Sequence, residues 1–247
     1  MIFLIFILGL IIGSFLNVVI YRLPDGKSIV YPPSHCPDCG HKLSPLELIP
    51  VLSYILLRGK CKSCGANILI RYPIIELSTG IIFIINYIYL SDLISLTAGL
   101  IFSSLLIILT MIDFDHQILP DKLTLGGLGV GFIFSFLRSD ITVIYSLAGI
   151  LAAGGLLFLI ALLSKGGMGG GDIKMMAMVG SFTGPIIAVS SIFLGAVIAL
   201  IAHLPGLVSG KTGMKTKLPF GPFLALGSLI LWFWSEELFD LYINLFI

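Results

Sequence analysis

Apolar stretches alternate with polar connections along the whole chain. They cover residues 1–21, 72–90, 96–112, 123–137, 141–163, 173–183, 185–208 and 219–246. Most reach the roughly 17–25 residues that a helix needs to cross the hydrocarbon core. The pattern predicts an all-α polytopic membrane protein, a bundle of about eight transmembrane segments. The stretch 173–183 is too short for a full span. It is expected either to re-enter, or to cross where protein neighbours or water satisfy its backbone. The first stretch has no basic residue before it and Arg22 after it. It therefore reads as a retained first span with its N-terminus outside, not as a cleaved signal.

Composition supports this class. The chain is 57% hydrophobic and only 11% charged, where soluble domains carry about 25% charged residues. The net charge of +1 decides nothing, and no basic patch interleaved with aromatics points to nucleic acid. The placement of charge is more informative. With the first loop in the cytoplasm, Arg22, Lys27, Lys42, Arg58, Lys60, Lys62, Arg71, Lys122, Lys165, Lys174, Lys211, Lys215 and Lys217 all fall inside, and Arg138 alone falls outside. The positive-inside rule selects this orientation. Both termini then face outward, and Asp113, Asp115, Asp121 and Asp172 lie at the cytoplasmic face. The three lysines of 211–217 read as a topology determinant in contact with the anionic leaflet.

The sizeable soluble part is the loop 22–71. It divides the chain into a first span (1–21), a cytoplasmic loop domain (22–71) and a membrane-embedded bundle (72–247). Within the loop, 46–57 is apolar but too short to span, and Pro45 and Pro50 break it. It is expected at the membrane interface or against the bundle. The loop also holds all four cysteines, as Cys36-Pro37-Asp38-Cys39-Gly40 and Cys61-Lys62-Ser63-Cys64-Gly65. Each C-x-x-C knuckle presents two thiolates to one tetrahedral ion, so the two complete a closed four-cysteine zinc shell that holds the fold and leaves no open catalytic position. Disulfides or free thiols are the alternatives, and a cytosolic loop disfavours stable disulfides.

Candidate chemistry lies in carboxylates at the ends of apolar runs. An ionisable group kept beside a membrane span is expensive, and is a functional-site hypothesis by default. Asp113 ends the run 101–112, and Asp172 follows the run Gly166-Gly167-Met168-Gly169-Gly170-Gly171. Three aspartates and His116 crowd into 113–121. Asp121, after Pro120, suits a cap or first-turn charge, while Asp115 and His116 suit a solvated loop. Two carboxylates at one depth suggest hydrolysis, because neighbouring carboxylates do not both ionise easily. One keeps a proton and the other acts as base on a shared water. No G-x-S-x-G or H-E-x-x-H occurs, and the glycine run lacks the order of a phosphate-binding loop.

Gly169-Gly170-Gly171-Asp172 resembles the G-x-G-D motif of intramembrane aspartyl peptidases. With Lys174, Ala177 and Gly180 it is similar to that of bacterial type IV prepilin peptidases. Gly13-Ser14-Phe15-Leu16-Asn17, the double C-x-x-C loop, Arg71-Tyr72-Pro73-Ile74-Ile75-Glu76, Leu119-Pro120-Asp121 and Pro219-Phe220-Gly221-Pro222 extend the likeness over nearly the whole chain. The resemblance implies catalytic Asp113 and Asp172, supported by Gly169, Gly171 and Lys174, and a zinc site of Cys36, Cys39, Cys61 and Cys64. It implies removal of the basic leader of type IV prepilins and pseudopilins at the cytoplasmic face of a bacterial inner membrane, in pilus assembly, secretion or DNA uptake. It also implies N-methylation of the new terminus from S-adenosylmethionine, which the compact first loop leaves open against a peptidase-only alternative. No methyl-donor site is readable, although Glu47, Glu76 and Arg71 are polar candidates. A transporter with proton-relay aspartates is the competing class. It predicts midplane carboxylates and inverted repeats, and no repeat is seen.

Overall fold

A computed structural model describes residues 1–164, 167–208 and 219–246, with the side chains of 205–208, 242, 245 and 246 excluded. Lys165, Gly166, Lys211, Lys215 and Lys217 of the expected charge and glycine patterns lie outside the described residues. The helices are α1 (Ile2–Arg22), α2 (Leu52–Leu56), α3 (Arg71–Tyr89), α4 (Leu93–His116), α5 (Asp121–Phe134), α6 (Val143–Leu163), α7 (Gly170–Val208) and α8 (Gly221–Phe246). They form two compact units, Met1–Ser91 and Asp92–Ile247.

In the first unit α1 packs along α3. The two helices close through Gly9 and Gly80, where a Cβ on Gly9 would stand 2.6 Å from the Gly80 Cα. Lipid gives helices no hydrophobic reason to pair, so such close backbone approach supplies the dispersion contact instead. The region between the two helices holds the cysteine knuckles, a 3-10 turn (Pro45–Leu48) and α2. The apolar stretch 46–57 is broken where its prolines predict. Its Leu46, Leu52, Ile55 and Leu56 are exposed, and it is tied to α3 because the Val51 N–H donates to Glu76 Oε2 at 2.8 Å.

The second unit packs α4 to α8 around a core of Phe102, Leu106, Leu109, Leu157, Met175, Met176, Met178, Phe182 and Leu224. Capping sets two helix starts: Asp92 accepts the Ser95 N–H at 2.9 Å ahead of α4, and Thr142 accepts the Tyr145 N–H at 3.2 Å ahead of α6. The expected segments 173–183 and 185–208 are two helical arms of α7 that meet at a break, the single non-helical residue Gly184 (φ 78°, ψ 179°), and the second arm brings His203 back to Phe223 at the start of α8. Residues 175–184 are buried throughout.

The break in α7 frees two carbonyls. Pro185 has no N–H for Ser181 C=O, the acceptor four residues back. The Ser146 hydroxyl donates to that oxygen at 2.8 Å, and Arg138 Nη1 donates to Phe182 O at 2.8 Å. Arg138 is itself held by Asp140, with Nε donating to Oδ1 at 3.0 Å, and lies 5.2 Å over the Trp232 ring. Arg138, the exception in the expected charge pattern, is thus a buried cap on the helix break.

Among the described residues five helices are long and apolar enough to cross a membrane: Ile2–Arg22, Arg71–Tyr89, Leu93–His116, Val143–Leu163 and Gly170–Leu204. This is the make-up of a multi-pass membrane protein. The expectation of eight spans is not met by this set. Helix α5, at 14 residues, is shorter than a span. The two expected segments on either side of the Gly184 break count once in this set, as Gly170–Leu204, and α8 carries Glu236, Glu237 and Asp240 in its second half.

Candidate active site

Helix α4 delivers Asp113 in its last turn, buried with 6% exposure. The helix stops because Gln117 turns left-handed (φ 53°) and its N–H returns to Asp113 O at 2.9 Å. Asp115 and His116 sit on the exposed side of that same last turn, not in a loop. The chain then passes Leu119 and Pro120 into α5.

Asp172 is the third residue of α7, and its N–H donates to Gly169 O at 3.2 Å. A carboxylate in a first helical turn meets unpaired N–H groups and the positive end of the helix dipole. The glycine motif has a steric explanation. A Cβ on Gly169 would stand 3.1 Å from Asp172 Oδ2, and one on Gly171 would stand 2.8 Å from Leu119 Cβ, whereas one on Gly170 would meet nothing within 4 Å. Gly169 thus clears the carboxylate, and Gly171 lets the segment after Asp113 dock on the start of α7. Lys174 does not pair with Asp172. Its Nζ lies 2.7 Å from Asp121 Oδ1, joining α7 to the first turn of α5. The result brings the Asp113 and Asp172 carboxylates within electrostatic reach of each other.

A third element enters that the sequence presented only as a helix start. The N–H of Gly221, first residue of α8, donates to Asp113 Oδ2 at 3.0 Å. Its sequence signal was the Gly between Phe220 and Pro222, which says nothing about a partner more than a hundred positions away.

In the first unit the two cysteine knuckles are built alike. The Cys36 N–H donates to His41 O (2.9 Å) and the Cys61 N–H to Ala66 O (2.8 Å), while Gly40 (φ 70°) and Gly65 (φ 75°) make the turns. The four Sγ atoms all lie within 4.8 Å of one another, with Cys36–Cys64 at 3.9 Å and Cys39–Cys61 at 4.0 Å. A tetrahedron with zinc–sulfur bonds of about 2.3 Å has sulfur–sulfur edges of about 3.8 Å. The cluster therefore fits a four-thiolate zinc site, and these separations are far from a disulfide bond of about 2.05 Å.

The three polar candidates near that loop have structural duties. Glu47 closes a capping box on the 3-10 turn, taking the Ser44 N–H at 2.9 Å and the Ser44 hydroxyl at 2.7 Å. Those two bonds, the backbone one first, bring its carboxyl down to about 2. Glu76 holds Val51, and Arg71 opens α3 and is engaged by its surroundings.

Comparison with known proteins matches both units. A profile described as the bacterial peptidase A24 N-terminal domain matches residues 7–90, and one for the type IV leader peptidase family matches residues 100–204. A prepilin leader peptidase/N-methyltransferase of Bacillus subtilis is 36% identical over 251 residues, covering 99% of both chains. Proteins of the same name from Aeromonas hydrophila (35% identical; 99% of this chain, 94% of that one) and Pseudomonas aeruginosa (34% identical; 96% and 92%) are also similar. No solved structure matches.

Proposed function

The chain belongs to the type IV leader peptidase family, and on that premise we propose that it is a membrane-embedded aspartic endopeptidase that removes the leader of type IV prepilins and pilin-like precursors, and that it N-methylates the terminus it creates. The observation that carries the peptidase reading is the meeting of Asp113 and Asp172 within electrostatic reach, Asp172 in the first turn of α7 and Asp113, in the last turn of α4, taking the N–H that opens α8.

In this reading the ionised member of the pair takes a proton from water while the water oxygen bonds to the scissile carbonyl carbon. The protonated member gives its proton to the carbonyl oxygen, producing a neutral gem-diol. The first carboxyl then passes its proton to the amide nitrogen as the C–N bond breaks. A gem-diol hydroxyl proton returns to the second carboxylate. Water and peptide become acid and amine, with the pair restored and no covalent enzyme intermediate. Gly169 and Gly171 give the pair room, and Lys174 fixes α7 to α5 through Asp121.

The chain divides into a first span (1–21), a loop domain (22–71) stiffened by zinc on Cys36, Cys39, Cys61 and Cys64, and a peptidase bundle (72–247). S-adenosylmethionine, when bound, supplies an electrophilic methyl group to the new amine. The basic residues of the loop support an inner-membrane orientation with the site facing the cytoplasm and the termini outside.

The test incubates purified full-length protein with a pilin-like precursor and S-adenosylmethionine, followed by mass spectrometry of the product terminus. Cleavage and a mass gain of one methyl are expected. An uncleaved precursor contradicts the peptidase reading, and a cleaved product without the methyl leaves a peptidase alone. Stoichiometric zinc that disappears in Cys36→Ser is expected, and a zinc-free wild-type protein rejects the metal.

A further inference from the structure

We infer that Gly221 is a positioning residue for the peptidase reaction, its backbone N–H fixing Oδ2 of Asp113 so that the other carboxylate oxygen is presented to the reacting water. The inference rests on the two-aspartate reading above and extends it to a helix that lies beyond both matched segments, 7–90 and 100–204.

Three observations meet at this atom. The hydrogen bond is 3.0 Å long, and its acceptor is buried. A Cβ on Gly221 would stand 2.7 Å from Oδ2 and 3.1 Å from Cγ of Asp113. This is closer than a carbon and a carboxylate pack, so only glycine admits the carboxylate at hydrogen-bonding distance from the backbone. Gly221 is also the first residue of α8, where N–H groups have no partner within the helix. Among the described residues no other hydrogen-bond donor reaches the Asp113 side chain.

The need for such a donor follows from the placement of Asp113. It lies in the last turn of its own helix, where the dipole's negative end disfavours a carboxylate. The start of α8 opposes that effect and also sets the carboxylate's rotation. The titratable and charged groups on the elements around it are Asp172 and His203 on α7, with His203 against Phe223, the Lys174–Asp121 pair between α7 and α5, Lys122 beside Asp121, and Asp115 and His116 on its own helix. Residues 221–235 of α8 carry no charge, so the contribution from that side is the backbone dipole.

Two variants of the full-length enzyme separate the donor from the space it leaves. Gly221→Ala adds the clashing Cβ. Replacing Gly221 by glycolic acid turns the amide into an ester and removes the N–H without adding an atom at the α-carbon. Hydrogen bonds to charged groups are lost at a cost equivalent to about 10- to 100-fold in rate. The ester variant is therefore expected to lose about that much kcat on a pilin-like precursor with KM little changed. Without the donor the ionised carboxylate is less favoured, so the acid limb of the pH–kcat profile moves up, on the order of one pH unit. Gly221→Ala is expected to lose at least as much. An ester variant with wild-type kcat and an unmoved acid limb overturns the inference. Asp113→Asn is assayed beside it. If that variant cleaves at the wild-type rate, it is the two-aspartate reading that fails. If it is inactive while the ester variant is normal, only the role of Gly221 fails.

Discussion

The two ends of α4 both hold buried charge, and they treat it in opposite ways. At its start, Arg138 and Asp140 are satisfied by protein: two guanidinium nitrogens on the carboxylate, a third on Phe182 O, a Ser95 hydroxyl on Asp140 and the Trp232 ring beneath. At its end, about 27 Å away at 1.5 Å per residue, Asp113 has one backbone N–H and a second carboxylate as neighbour. A charge that the fold fully pairs holds structure. A charge left with unfilled acceptor capacity beside another of the same sign is poised to exchange protons with something else. Composition alone does not separate the two, because both are ionisable residues in apolar surroundings.

The contrast predicts that the paired end governs stability and the underpaired end governs rate. The largest expected stability effect is Arg138→Met, which strips Phe182 O and Asp140 of their buried partner. Leaving the buried Phe182 carbonyl without its donor costs about 1–3 kcal/mol, and the Asp140 side chain, 50% exposed, adds at most about 1 kcal/mol. Thermal unfolding in detergent is expected to move down steeply, and an unchanged Tm would put Arg138 among incidental charges. Next comes Gly171→Ala, which overpacks against Leu119 at about 1–3 kcal/mol and displaces α7 from the segment that follows Asp113. Precursor cleavage is expected to fall about tenfold or more, while Gly170→Ala, facing open space, keeps the wild-type rate. Equal losses in the two would remove the steric account of the motif.

A pH effect follows from Asp140, which lies in the loop before α6. Burial works against its ionisation, but the Arg138 hydrogen bonds and charge hold its carboxyl below the usual range. A carboxyl depressed in the folded state contributes stability above its unfolded value of about 3.9, and loses it as pH falls through the folded value. Wild-type Tm is therefore expected to drop below about pH 4 more steeply than that of Asp140→Asn. The smallest effect belongs to Lys174→Met. Its pair with Asp121 is 40% and 60% exposed, so it is worth at most about 1 kcal/mol, and a larger loss of Tm would mean that Lys174 does more than tie α7 to α5.

Much of the site was legible from local order. The glycines before Asp172, the run ending at Asp113 and the paired knuckles each announce themselves within a few residues, because close approach and metal ligation need particular residue types at short spacing. The parts that stayed hidden depend on distant partners. Gly221 read as an ordinary helix start because its acceptor lies on another helix. Arg138 read as a topological exception because the carbonyl it caps is exposed by Gly184 and Pro185, and only packing brings them together. The boundary between the expected segments 173–183 and 185–208 falls on the Gly184 break, and the carbonyls freed there are met by Ser146 and Arg138, partners that local order does not reveal. Glu47 and Glu76 stood out as carboxylates near the loop, and their bonds to Ser44 and Val51 give both a structural use.

The most direct test of the contrast measures precursor cleavage and thermal unfolding together in Asp113→Asn and Asp172→Asn. Each swap keeps the shape of the side chain and removes its ability to ionise. The account predicts that both variants lose cleavage by several orders of magnitude while Tm stays near or above the wild-type value, since two carboxylates within electrostatic reach are relieved of their repulsion. A variant of either residue that cleaves at the wild-type rate, or that loses activity only in proportion to lost folded protein, would contradict it.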